Sequence, residues 1–439
     1  MRSLRYQLRP GSLETWFATI TIVGGNPLED AVEISSMVIL VVSFAALALA
    51  TDALGRRLHL PQALLLVLAG AAAGPGLGIL AGTEPGLDAM GFHDLVFFLF
   101  LPLLVFDAAF RISIAALVRD LGLILVLAVA GVLLTAMICA LIIYLAIGGG
   151  TDFPWIAALL AGAVLAATDP VAVIAQLDAL RAPQRLRMLL EGESLFNDAS
   201  TIVLFGVLLG IATRRHADPG LGGAILGFLV EFAGALGFGA IAGLVGARAL
   251  RALPQGVAHA LLALLLAYGT YLIAEIALGV SGIVATLVAG LLLARAVQRE
   301  DSSLVGRELG FTLRTLAYGA NGCLFLLVGL LLELRMFADH WRGMLLAALA
   351  VLLARVLVVY ACLGFRNRCW RADPVPRQYR GVLIWGGLRG AVTLALALAL
   401  PGALDYGPRV QAMAFGVVLF TLFVQAPTVP WLIRGSGLR

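Results

Sequence analysis

Two short runs bring carboxylates, hydroxyls and a carboxamide together in otherwise apolar surroundings. The first is Ala167-Thr168-Asp169-Pro170. Pro170 has no backbone N–H and disfavours helical geometry at the residue before it. The chain is therefore expected to unwind at Thr168 and Asp169 and to free carbonyl oxygens near Ala166. Free carbonyls, a hydroxyl and a carboxylate are hard oxygen ligands suited to a bare alkali cation. The bland alternative is a kink in which Asp169 caps the following half-helix. The second run is Glu191-Gly192-Glu193-Ser194-Leu195-Phe196-Asn197-Asp198. Helical spacing sets Glu193 above Asn197 and Ser194 above Asp198, two adjacent polar ridges with Asp198 over a turn deeper than Glu193. For Glu191, a solvated helix end is the simpler reading.

Three more charged residues fall inside apolar runs. An ionisable group at mid-bilayer costs about 2.5–3.5 kcal/mol on insertion scales, so such a group is paired or lines a polar path. Asp107 ends the run Leu99 to Asp107, where an interfacial, solvated carboxylate is the alternative reading. Arg355 sits within Leu352-Leu353-Ala354-Arg355-Val356-Leu357. A buried guanidinium needs a carboxylate, and Glu193 is the choice that leaves Asp169 and Asp198 free. Arg389 lies in Gly386-Gly387-Leu388-Arg389-Gly390, where it could offset the ends of interrupted helices. Asp52, Glu231, Glu275 and Asn321 read as structural.

The elements that must hold these groups are membrane helices. The 439 residues are 61% hydrophobic and 13% charged, against roughly 25% charged in a soluble domain. The apolar runs divide into about thirteen spans, with cores near 35–54, 60–81, 92–110, 119–147, 153–176, 188–212, 222–247, 257–278, 280–297, 310–333, 342–365, 380–400 and 409–433. The pair joined through Gly279 is the hardest to separate. This gives a polar segment 1–34, a transmembrane domain 35–433 and a short tail 434–439, with no C-terminal regulatory domain expected. Residues Leu13 to Val23 have the pattern of a short surface helix. The first ~34 residues lack a clean charged, apolar and small signal pattern, so no cleaved peptide is expected.

All 30 basic side chains counted with lysine are arginine, so no intramembrane lysine takes part. Arg56, Arg57, Arg111, Arg119, Arg181, Arg185, Arg187, Arg248, Arg251, Arg295, Arg299, Arg307 and the run Arg366 to Arg380 share one side. The opposite loops hold Arg214, Arg215, Arg335, Arg342 and Arg409. The positive-inside rule makes the first side cytoplasmic. An odd number of spans then sets the N-terminus outside, although that tail carries Arg2, Arg5 and Arg9, and the C-terminus inside. The Cys and His residues are dispersed and form no metal spacing.

An arrangement of six spans, one linker and six spans would invert the second half relative to the first. Transporters built this way place broken helices at matching positions. The Asp169-Pro170 break lies in the fifth span and the Gly386–Gly390 break in the twelfth, fifth of its half. Gly70, Gly74 and Gly78, and Gly239 and Gly243, are spaced for close helix packing.

On these motifs the chain resembles the monovalent cation:proton antiporter family, the NhaP and sodium/proton exchanger group. The matching runs are Ala167 to Val173, Glu191 to Asp198 and Gly386 to Val392. The stretch Phe97 to Phe110 and the Arg355 helix match as well. The resemblance covers roughly residues 35 to 433. It implies an all-α polytopic fold of two inverted six-helix repeats with crossed broken helices, in a homodimer in the cell inner membrane. It implies that Asp198 carries cation or proton, with Asn197 as its partner. Asp169 and Thr168 form the unwound segment, Ser194 and Asp107 shape or coordinate the site, and Glu193 with Arg355 forms a structural ion pair. Some members carry Glu where this chain has Asp107.

The transported alkali cation, held chiefly by Asp198 and Asp169, is substrate; no cofactor, nucleic acid or enzymatic step is expected. Cation and proton compete for Asp198, and a vacant anionic site is held back by the cost of burying charge. With Asn197 beside Asp198 and no lysine, electroneutral one-for-one exchange of Na+ or Li+ for H+ is expected. K+/H+ exchange on the same fold is the near alternative. An ion channel lacks a filter loop here, and an intramembrane aspartyl hydrolase lacks a Gly-x-Gly-Asp run.

Overall fold

Proline at the first helical position and breakers between apolar runs set where helices start and stop in this chain. A computed structural model describes residues 27–58, 60–81, 89–147, 153–213, 220–254, 256–299, 303–332, 334–369 and 374–438. The proposed surface helix at Leu13 to Val23 lies outside them. The helix α1, Pro27–Leu58, begins inside the segment read from sequence as polar. Pro27 suits the first turn because its missing N–H would be unpaired there anyway, and Glu29 and Asp30 favour the positive end of the helix dipole. Contacts separate the chain after Ala50. The described residues of the first unit, from Pro27, are helical; the second unit holds all that follows.

The second unit is helical throughout its described elements. It contains α2 Gln62–Ala81, α3 Phe92–Arg111 and α4 Ile114–Ile147. An interrupted α5 follows, as α5a Trp155–Val164 and α5b Val171–Ala179. Next come α6 Gln184–Ala212, α7 Gly220–Ala252, α8 Val257–Leu278 and α9 Gly282–Arg299. The chain continues with α10 Ser303–Leu330 and α11 Leu334–Cys369. A second interrupted helix, α12a Tyr379–Trp385 and α12b Ala391–Leu398, precedes α13 Gly407–Gly435. Among the described residues, eight helices are long and apolar enough to cross a membrane. Gly279 turns α8 into α9 at φ +63°, a left-handed conformation that favours glycine. The Glu275 carboxylate accepts the Gly282 N–H at 2.8 Å and so caps α9.

Helices pack where side chains are small. α2 lies on α10, α7 on α9, and α4 on α5a. A Cβ on Gly70 would stand 2.2 Å from the Leu326 carbonyl oxygen, and one on Gly329 would stand 2.1 Å from that of Val67. The α2 and α10 backbones therefore touch through two glycines, a contact that needs no hydrophobic driving force in lipid. Along α11, Leu345, Leu349, Leu353 and Leu357 are exposed at four-residue spacing while Ala354, Arg355 and Val358 are buried. One face thus suits lipid and the other the protein interior. Asp120 on α4 takes two hydrogen bonds from Arg185 of α6, at 2.9 and 2.7 Å, and lies 3.8 Å from Arg366 of α11, bolting three helices at one end.

Gly329→Ala is expected to destabilise the protein by about 1–3 kcal/mol of overpacking, read as a lower melting temperature in detergent. An unchanged melting temperature would show that α2 and α10 can separate freely.

Candidate cation and proton site

Both helix breaks lie where the breakers stand. The last turn of α5a closes with Leu165 N–H on the Ala161 carbonyl at 2.9 Å, and residues 167–170 leave the helix. In α12, Gly386 N–H bonds the Val382 carbonyl at 2.7 Å before residues 387–390 run irregularly. Unpaired peptide groups in a dry interior are costly, and here the two breaks satisfy each other. Asp169 N–H donates to the Leu388 carbonyl at 2.8 Å. The Arg389 Nη1 donates to the Ala166 and Ala167 carbonyls at 2.6 Å each, with the side chain 1% exposed. A guanidinium thus closes the negative end of α5a. The Arg389 N–H in turn donates to the Thr421 hydroxyl at 3.2 Å.

The glycines around Arg389 make room for charge. A Cβ on Gly390 would lie 2.1 Å from Asp169 Oδ2, and one on Gly387 would lie 2.7 Å from Arg355 Nε. Asp169 uses its other oxygen to accept the Val171 N–H at 3.0 Å, capping α5b.

From α6, side chains grip the unwound segment on both sides of Thr168. The Ser194 hydroxyl donates to the Thr168 carbonyl. Asn197 Oδ1 accepts the Thr168 N–H at 3.2 Å and the Thr201 hydroxyl at 3.3 Å. One turn back, Glu193 takes a bidentate contact from Arg355, with Nη1 on Oε1 and Nη2 on Oε2 at 2.9 Å. Arg355 Nε donates to the Leu383 carbonyl at 3.0 Å. This pair therefore joins α6, α11 and α12a.

A cavity of about 110 Å³ opens beside the breaks, lined by residues of α3, α5b, α6, α10 and α12b. Its polar groups come from Asp107, Arg111, Asp169, Glu191, Ser194, Asp198 and Asn321. Asp169 and Asp198 are half-buried while Ser194 and Asn197 are buried. Thr168 and Asn197 are not among the lining residues; their polar groups are engaged at the break.

Two placements differ from the simpler readings of the sequence. Asp107 is 2% exposed, so it is not a solvated interfacial carboxylate, and Arg111 Nε lies 3.0 Å from its Oδ2. Glu191 is 7% exposed and contacts Arg111 Nη1 at 3.9 Å and Arg187 Nε at 3.6 Å. Sequence reasoning missed Arg111 and Asn321 as lining residues. The signal for Arg111 was its place one helical turn after Asp107.

The sequence model described as sodium/hydrogen exchanger, transmembrane, matches residues 39–435. The chain belongs to the sodium/hydrogen exchanger family. Among relatives of this exchanger, the Na(+)/H(+) antiporter ApNhaP of Aphanothece halophytica is 34% identical over 394 residues, covering 87% of this chain and 70% of the relative. The Na(+)/H(+) antiporter NhaH of Halobacillus dabanensis is 29% identical, covering 90% of this chain and 96% of the relative. The sodium proton antiporter MjNhaP1 from Methanocaldococcus jannaschii superposes with a TM-score of 0.75 at 20% identity, over 92% of this chain and 99% of that one. That likeness shows a shared fold.

In this exchanger Gly390→Ala is expected to displace the Asp169 carboxylate and cut exchange at least about tenfold, as misplaced groups do at a tight site, while folded yield in membranes is retained. Wild-type exchange in this variant would remove Asp169 from the site. Arg355→Ala strands Glu193 and is expected to cost about 3–5 kcal/mol, read as loss of monodisperse protein on size-exclusion chromatography in step with loss of transport.

Proposed function

We propose that this chain exchanges Na+ or Li+ for H+ across the membrane, with cation and proton competing for Asp198. The reading rests chiefly on the geometry of two half-buried carboxylates, Asp198 and Asp169, facing one cavity beside crossed breaks. Family membership and the printed names of the relatives, Na(+)/H(+) antiporters, support the same reading and favour Na+ over K+. Ser194 shapes the cavity, and Asn197 holds the Thr168 backbone in place.

The mechanism follows from charge. Glu193 and Arg355 neutralise each other, whereas Asp198 has no such ion pair among the described residues. An anionic carboxylate in a low-dielectric site is costly, so Asp198 leaves either face with a cation or a proton. Conformational exchange is then coupled without a separate lock. In this account, the part of the molecule built around the two broken helices, one from each half, moves against the scaffold that forms the homodimer. The arginine-rich loops face the cytoplasm of a bacterial-type inner membrane, with the N-terminus outside.

Asp198→Asn is expected to abolish cation-dependent collapse of a pH gradient in liposomes while leaving insertion and size-exclusion behaviour unchanged. Activity retained in that variant would move the site elsewhere. Exchange is expected to be one for one. Clamping the liposome membrane potential at zero or at a large negative value with potassium and valinomycin, in an assay driven by Na+, should leave the rate unchanged. A steep dependence on potential would rule out electroneutral exchange.

A further inference from the structure

Asp107 and Glu191 line the same cavity as Asp169 and Asp198. Each leaves one carboxylate oxygen buried and without a hydrogen-bond partner, Oδ1 of Asp107 and Oε1 of Glu191. A buried carboxylate with an open oxygen calls for a positive ligand. The positive group that reaches both is Arg111, 3.0 Å from Asp107 and 3.9 Å from Glu191, and it also lines the cavity. Behind it, Arg187 lies 3.6 Å from Glu191 and donates to Asp178 at 2.8 Å. Three carboxylates thus alternate with two guanidiniums along a row that reaches the cavity, and the charge of Arg314 also acts on Asp107.

Arg111 differs from the other cationic side chains of the site. Arg355 is bonded through three nitrogens, and Arg389 holds two carbonyls. Arg111 Nε makes an ion pair without a well-directed hydrogen bond, and its side chain is 27% exposed. Its guanidinium is held to Asp107 and Glu191 by charge more than by directed hydrogen bonds.

We infer that Arg111 is a tethered counter-cation: it occupies Asp107 and Glu191 when no ion is present, gives way to the incoming cation, and thereby sets the apparent affinity of the site from the arginine-rich face. This rests on the antiport reading and adds a residue that tunes it. Arg111 acts through Asp107, as a positioning residue, and need not touch the ion at Asp198.

The test is cation-dependent dequenching of a pH-sensitive dye in everted bacterial membrane vesicles, with Na+ and Li+ titrated against the full-length protein. Arg111→Gln frees a buried carboxylate that must find another cation, and is expected to lower the apparent KM at least about threefold with little change in maximal rate. Arg111→Gln combined with Asp107→Asn should bring KM back to the wild-type value or above it. A KM that is unchanged or raised in Arg111→Gln overturns the inference. If that variant does not fold, Arg111→Lys decides: its compact charge cannot span two carboxylates, so a smaller fall in KM is expected, and no fall is contrary. A wild-type protein that shows no response to Na+, Li+ or K+ would instead overturn the antiport reading itself. A purely structural role for Arg111 would lower maximal rate and yield without lowering KM.

Discussion

Two helices interrupted inside an apolar interior expose peptide groups that no solvent can reach, and the site depends on how those groups are paired. The answer is reciprocal. The α5 break gives its Asp169 N–H to the α12 break, and the α12 break returns Arg389 to the carbonyls of α5a. Neither break is satisfied alone. Because the pairing consumes the Ala166 and Ala167 carbonyls, those oxygens are held by Arg389, and Asp169 and Asp198 are left facing the cavity.

Charge is distributed around the crossing by the same logic. Arg355 and Glu193 cancel each other and are tied to the Leu383 backbone. Arg389 sits against helix-end carbonyls, so it balances a partial charge and not a full one. Asp198 and Asp169 are left as half-buried carboxylates facing the cavity. Small residues make this possible: Gly387 and Gly390 are the places where a guanidinium and a carboxylate approach the backbone. A methyl group at either would push a charged side chain off its position.

Much of this was legible in the sequence, and for local reasons. Pro170 and the Gly386 to Gly390 run interrupt their helices by backbone chemistry that does not depend on tertiary context. Residues four apart on α6 had to share a face, so Ser194 and Asp198 both reach the cavity. Less was legible where partners are distant. The use of Arg389 on Ala166, and of Asn197 on Thr168, depends on how α5, α6 and α12 cross. Arg111 read as one more arginine of a positive loop, and Glu191 as a solvated helix end. Only the approach of α3 to α6 reveals that the two share a buried cluster. At the N-terminus, charge near Glu29 and Asp30 suggested a polar tail, whereas Pro27 starts the helix.

The central claim is that cation and proton compete for one carboxylate. It is tested most directly by adding Na+ to purified protein in weakly buffered detergent solution, at a pH where Asp198 is protonated, and measuring protons released with a pH electrode. The account predicts about one proton released per Na+ bound, and none from Asp198→Asn. Saturable Na+ binding without proton release, or the same release from the Asn variant, would contradict it.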